Sequence, residues 1–405
     1  MKYFLITLVF VIVSNTTLIA QHSQFQFNND SWKTVRKQAK KTKKMIFVQA
    51  MSPNCDACKE LESRVFDDKE LAQLYNNSFI LFKIDSSTSK VKKLVEILSI
   101  NAYPSSYIVD ANGNVIHKIV GLVTKADLMD MAKRVLANKG TLAHYQKTYA
   151  KGKFTKDELF DYALVLEKAS ENYKPIADEY FSRIPVDLLG EPQNVDAIVM
   201  FTDDIHSREF AFIARGAGEL RGFISTTGDV QMKVEDVISN AVMGFMQNTR
   251  IEEKMNDTLN RIFREIEIQN QHLVKERVML DYYDVILKDY PHYFHALVGY
   301  VGSHLDILSN SQLAAYCRRV SEDCKEMEVI DMSLNWMSIV LERDPHNKEY
   351  YEISIDLLIK AERNEEAREM GVRMVEMCKD VISDPEQLLE DLNKKIYSAE
   401  ANPSR

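Results

Sequence analysis

Glycine and proline are scarce in this sequence, 13 and 9 among 405 residues. So few breakers argue against a loop-rich β sandwich and for long packed helices. Beyond residue 20 no apolar run approaches the ~20 residues that a membrane-spanning helix needs. Positive charge is not in excess. The formal net charge is -9, which excludes wholesale nucleic-acid binding and names no partner. Cysteine is limited to five residues, Cys55, Cys58, Cys317, Cys324 and Cys378. One close pair and three scattered residues do not make a disulfide framework.

What is present is ordinary for a globular protein, 45% hydrophobic and 27% charged, with enough chain for two domains or three. The first twenty residues read as a secretory signal peptide. Lys2 supplies the positive start, residues 4–13 are apolar apart from Thr7, and Leu18-Ile19-Ala20 precede the expected cleavage after Ala20. The apolar stretch is half the length of a membrane anchor, and no cysteine sits at the cleavage site. The mature chain is therefore expected in the periplasm or secreted, where thiol–disulfide chemistry matters.

Residues 21–30 are polar and rich in Asn and Gln, and read as a flexible leader. Asp30 or Ser31 caps a helix over 32–42, whose Lys33, Arg36, Lys37, Lys40 and Lys41 are read as a solvated face. Short apolar runs predict strands over 45–50, 79–85, 105–109 and 114–120. Periodic segments predict helices from Cys55 through Leu61, Val65 and Phe66, and over 69–75, 89–98 and 124–136. Asp110-Ala111-Asn112-Gly113-Asn114 has hairpin-turn chemistry. With the two helices after Cys55 taken as one layer, residues 31–138 read α-β-α-β-α-β-β-α, an α/β domain with a central mixed sheet flanked by helices.

After Gly140 strand signals nearly vanish. Helical periodicity covers 154–169, 176–184, 195–201, 234–247, 255–267, 274–287, 293–307, 311–320, 330–341, 350–361 and 365–378. Residues 141–400 read as an all-α domain, and the loop at 216–228 is where it would divide. The turns Leu287-Lys288-Asp289-Tyr290-Pro291-His292 and Leu341-Glu342-Arg343-Asp344-Pro345-His346 are alike, and 344–367 resembles a tetratricopeptide unit. The two prolines lie 54 residues apart, not at that family's spacing, so the segment reads as a degenerate helical-hairpin array.

The chemistry concentrates in Ser52-Pro53-Asn54-Cys55-Asp56-Ala57-Cys58-Lys59, directly after a strand and opening a helix. Unpaired N–H groups and the positive dipole end at a helix start favour a thiolate. Two intervening residues put the second sulfur within reach of the first, so Cys55 can attack a disulfide and Cys58 can resolve the mixed disulfide. A half zinc site needs two further ligands at matching spacing, and none follows. A structural disulfide and an inactive remnant remain as alternatives. Tyr103-Pro104 stands about forty-five residues downstream, where a proline beginning a strand removes a ladder bond. A cis bond there would leave the backbone at Tyr103 free to pair with an extended substrate.

Together, the strand, the C-x-x-C at a helix start, the middle strand ending in Asp85, Tyr103-Pro104, the hairpin and Gly121 resemble the thioredoxin superfamily. The look is that of exported bacterial thioredoxin-like proteins with a helical C-terminal extension. The resemblance covers about residues 31–138. It implies that Cys55 is the nucleophile, Cys58 the resolving thiol and Pro104 a cis-proline that helps bind substrate. Asn54 departs from the family's usual aromatic residue before the first cysteine, Asp56-Ala57 from its usual Gly-Pro, and Gln49 from its buried carboxylate. Asp56 stands beside Cys55, where an anion opposes thiolate formation. Gln49 stands where the family often has a buried carboxylate that moves a proton for the resolving thiol. The Asp56 change argues against a strongly oxidising pair, because strong oxidants stabilise the reduced thiolate, and the Gln49 change is expected to slow the resolving step.

The function expected is that of an exported thiol–disulfide oxidoreductase, weakly reducing, acting on protein disulfides. The other reading is a non-catalytic envelope scaffold whose helical domain binds a partner while the first domain docks. Partners expected are protein thiols and disulfides of clients or redox partners, without nucleic acid, metal, cofactor or a membrane span in the mature chain. Cys317 and Cys324 are seven apart, a rise of ~10.5 Å in one helix, and can pair only if a turn near Ser321-Glu322-Asp323 breaks it. Burial is expected for both and for Cys378.

Overall fold

The computed structural model describes residues 24–53, 55–88, 91–152, 154–247, 251–379, 382 and 385–401. The expected signal peptide, 1–20, lies outside the described residues. The chain divides into two compact units, Met1–Ile176 and Ala177–Arg405.

The first unit is built on a five-stranded sheet ordered β1-β3-β2-β4-β5. The strands are β1 (Phe27–Asn28), β2 (Met45–Met51), β3 (Phe79–Asp85), β4 (Ser105–Val109) and β5 (Val115–Val120). β1, β3 and β2 are parallel, β4 runs antiparallel to β2, and β5 runs antiparallel to β4. Helices α1 (Trp32–Thr42), α2 (Asp56–Arg64), α3 (Lys69–Ser78), α4 (Lys92–Leu98) and α5 (Lys125–Leu136) cover it. Alternation along β2 assigns the faces. Phe47 and Met51 join Leu61, Leu71, Tyr75, Leu128 and Met131 on the side of α2, α3 and α5. Ile46, Val48 and Ala50 join Val35, Ala39, Leu94 and Leu98 on the side of α1 and α4. A strand covered on both faces is mainly apolar, which is why 45–48 of β2 and 79–82 of β3 read as continuous runs. The α/β class is the one expected.

Residues 24–30 are not the flexible leader that their polarity suggested. Phe27 and Asn28 pair in parallel with Leu81 and Phe82 as the sheet's edge strand. Phe25 packs 4.6 Å from the Phe66 ring and 5.4 Å from Tyr75. Two aromatics in an F-x-F alternation outweigh the entropy of ordering the amides around them.

The first unit also runs past residue 138. Helices α6 (Leu142–Tyr149) and α7 (Lys156–Lys168) pack against β5. The Arg134 guanidinium forks onto Asp161 at 2.6 and 2.8 Å and also reaches the Gly140 carbonyl. Tyr145 donates its hydroxyl to the same carboxylate. Desolvation pushes the Asp161 carboxyl upward, but the hydrogen bonds from Arg134 and Tyr145 prevail and hold it below the usual range. His117, buried on β5, accepts the Leu142 N–H at Nδ1, 3.2 Å away.

The second unit is helical, as expected. The boundary falls within α8 (Lys174–Ser182). It is followed by α9 (Pro192–Phe201), α10 (Arg208–Gly216), α11 (Thr227–Met246), α12 (Glu252–Glu265) and α13 (Gln271–Asp281). Next come α14 (Tyr290–His304), α15 (Asn310–Asp323), α16 (Met327–Arg343), α17 (Lys348–Lys360), α18 (Asn364–Met377) and α19 (Pro385–Ala401). Neighbours pair as antiparallel hairpins, α15 with α16 and α17 with α18, around Leu297, Tyr300, Leu313, Trp336, Val340 and Leu357. The loop at 216–228 does not divide this unit, because buried Asp196 of α9 pins it from within. Cys317, Cys324 and Cys378 are free and buried. Burial pushes the Cys317 thiol up to about 12 and raises the other two as well.

Burial lowers the His117 imidazole to about 4, with Arg134 opposing its charge further. The unfolded chain would bind that proton near pH 6.5. Between these values the unfolded state carries more protons, so stability is complete above about pH 6.5 and falls as pH drops toward 4. Loss of about 3 kcal/mol is expected across that window for the first unit. His117→Asn, which keeps an acceptor for Leu142, should flatten it in denaturant titrations. An unchanged slope would assign the acid limb to other groups.

Candidate thiol–disulfide site

β2 ends at Met51, and the chain turns at Ser52-Pro53 before Cys55 opens α2. Asn54 lies outside the described residues. Cys55 is the N-cap residue, in extended backbone, and its carbonyl accepts from the N–H groups of Cys58 and Lys59. Its Sγ also accepts the Cys58 N–H at 3.1 Å. The helix start thus directs a donor at the sulfur, as the sequence position implied. Asp56 opens the helical turn, but its side chain lies outside the described part.

Cys55 and Cys58 are joined as a disulfide, with Cα atoms 5.2 Å apart. The two sulfurs differ in access. Cys58 is 2% exposed and belongs to the core cluster of Phe47, Met51 and Leu61, whereas Cys55 is partly exposed at its border. Tyr103 borders the same cluster. The register explains the proximity. Ala50 pairs with Ser105, so β2 ends where β4 begins, and Cys55 and Tyr103-Pro104 leave the sheet at one end. The Tyr103-Pro104 bond is cis. The Pro104 carbonyl accepts the Gly121 N–H at 2.8 Å, while the Tyr103 backbone makes no hydrogen bond among the described residues.

Gln49 is completely buried on the Cys58 side of β2. Its amide is fully engaged. Nε2 donates to the Ser105 carbonyl at 3.2 Å and the Ala50 carbonyl at 3.3 Å, and Oε1 accepts from the Ser106 hydroxyl at 2.7 Å. A neutral amide with both ends satisfied has no proton to exchange. Ser106 escaped the sequence reading. A serine at an inward strand position, followed by Tyr-Ile-Val, was the available signal.

The asymmetry predicts a labelling order. After reduction under native conditions, iodoacetamide should modify Cys55 at least about tenfold faster than Cys58, Cys317, Cys324 or Cys378, read by peptide mass spectrometry. Comparable labelling of Cys58 would mean that its sulfur is not shielded.

Residues 32–136 match the model of a thioredoxin-like domain. Among solved structures, a candidate disulphide-isomerase from Bacteroides thetaiotaomicron, determined in solution, is 28% identical, covering 29% of this chain and 93% of its own, with a TM-score of 0.26. No curated protein matches the chain. The matched segment carries the mixed sheet, the C-x-x-C at the mouth of α2 and the Tyr103-Pro104 turn. Residues 32–136 are a thioredoxin-like domain of the thioredoxin superfamily, joined in this chain to a helical extension.

Proposed function

We propose that this protein is a weakly reducing thiol–disulfide oxidoreductase that acts on protein disulfides outside the cytoplasm. The observation that carries the reading is the unequal pair, one sulfur partly exposed and one buried, near the Tyr103 backbone, which makes no hydrogen bond among the described residues.

In the reduced protein the Cys55 thiolate attacks one sulfur of a substrate disulfide. The substrate S–S bond breaks, a Cys55–substrate disulfide forms, and the departing substrate thiolate takes up a proton. Cys58 then loses its proton and attacks the Cys55 sulfur. The mixed disulfide breaks, the Cys55–Cys58 disulfide closes, and the second substrate thiolate leaves. Two electrons pass from the pair to the substrate, and an external dithiol must restore them. The Tyr103 N–H and C=O supply pairing for the extended substrate segment around its cysteine.

The reducing direction rests on Asp56, and Gln49 bears on the rate of the resolving step. An anion at Asp56 opposes the Cys55 thiolate, and strong oxidants depend on stabilising that thiolate. Gln49 offers no carboxylate to take the Cys58 proton, which slows the second step. The N-terminal twenty residues support export by their charge and apolar pattern.

Insulin reduction with excess dithiothreitol tests the activity. The full chain should accelerate precipitation and Cys55→Ser should fall to background. Equal background rates for both would favour a non-catalytic docking role. Cys58→Ser should accumulate a mixed disulfide on non-reducing gels, which names the client. A reduced Cys55 with a pKa well below about 6 would overturn the reducing direction. Gln49→Asp should shorten the lifetime of the mixed disulfide about tenfold or more, whereas Gln49→Ala should not. Identical lifetimes would remove Gln49 from the resolving step.

A further inference from the structure

The loop between α10 and α11 presents two large apolar side chains to solvent, Phe223 at 78% exposure and Ile224 at 68%. They are adjacent, and the backbone beneath them is held tightly. The Asp196 carboxylate, buried on α9, accepts the Phe223 N–H at 2.9 Å, the Ile224 N–H at 3.3 Å and the Ser225 N–H at 2.9 Å. The Gly222 N–H closes the turn onto the Ser225 carbonyl at 2.8 Å. Gly218 is tied to Gln269 at 2.8 Å, and Thr226 caps α11. A Cβ at Gly222 would stand 1.8 Å from Asp196 Oδ1, so only glycine lets the backbone approach the carboxylate.

We infer that this tip is a membrane-contact element that inserts Phe223 and Ile224 into the interface of a lipid bilayer. Three features favour lipid over protein. First, a group entering an apolar phase must have its backbone donors satisfied internally, and a buried carboxylate satisfies those of Phe223, Ile224 and Ser225 from the protein side. Second, the tip is small. Two side chains fall far short of the ~800 Å² per partner that a stable protein interface buries, so a second copy of this chain is a poor occupant. A bilayer needs no matching socket and closes around a protrusion. Third, Arg221, exposed two residues before Phe223, makes no ion pair among the described residues and can meet a lipid phosphate. Glu219 lies two residues further back.

No described helix is long and apolar enough to cross a membrane, so the contact is peripheral. Insertion of a few side chains gives reversible attachment, strengthened by anionic lipid.

The test is co-sedimentation of the full chain with vesicles of phosphatidylcholine, alone or mixed with phosphatidylglycerol. Binding is expected, tighter with phosphatidylglycerol and weaker in salt. Phe223→Ser with Ile224→Ser should reduce it about tenfold or more without lowering insulin reduction, and Arg221→Ala should remove the preference for phosphatidylglycerol. As a direct report, the fluorescence of an Ile224→Trp variant should shift to the blue and be quenched by brominated lipid. Failure of the wild type to sediment, undiminished binding by the double variant, or an unquenched tryptophan would each overturn the proposal. So would self-association in sedimentation velocity that the double substitution abolishes while vesicle binding persists.

Discussion

The candidate site depends on the double burial of β2. Its even positions face α1 and α4, and its odd positions face α2, α3 and α5. No residue of such a strand can slip by one place without exchanging both faces, so its register is strongly specified. The strand therefore delivers the chain to a fixed point at Met51. Cys55 follows within one turn, at the mouth of a helix whose Leu61 is packed into the same core. The placement of Cys55 is thus a consequence of a hydrophobic constraint acting a few residues upstream.

The same constraint accounts for Gln49. An inward polar side chain at the centre of a buried strand must find partners or destabilise the fold by about 1–3 kcal/mol per unpaired group. β4 supplies them through the Ser105 carbonyl and the Ser106 hydroxyl. The amide therefore stitches β2 to β4 at the level where Tyr103-Pro104 departs. Chemistry that a carboxylate would perform at this position is exchanged for a neutral, satisfied contact. The position is structurally sound and chemically quiet.

Carboxylates perform a related task elsewhere. Half-buried Asp161 gathers Arg134 and Tyr145, holding α7 against the sheet domain, and buried Asp196 gathers three successive amides of the loop before α11. At Asp196 a charge withdrawn from water is compensated by several directed donors, without which burial would be prohibitive. The outcome in the second unit is a rigid turn whose apolar apex faces outward.

Local pattern carried much of this molecule. The strands at 45–50, 79–85 and 105–109, the capped helix at 32–42, the hairpin at 110–114 and the cysteine pair at a strand-to-helix turn are all local events, set by periodicity, capping and turn chemistry within a few residues. The helices at 142–149, 208–216 and 385–401 were not read, because short amphipathic segments draw their stability from packing that sequence spacing does not display. The edge strand at Phe27, the bond between Gln49 and Ser106, the attachments of α6 to β5 and of α7 to α5, and the clamp from Asp196 to 223–225 join residues between about 25 and 57 positions apart. By itself the sequence determined most of the secondary elements and placed the Cys55–Cys58 pair at a strand-to-helix turn, because both are set within a few residues. Only the tertiary structure decided which sulfur is sheltered, which polar side chains are satisfied and which apolar ones are left outside, because those properties belong to contacts between distant segments.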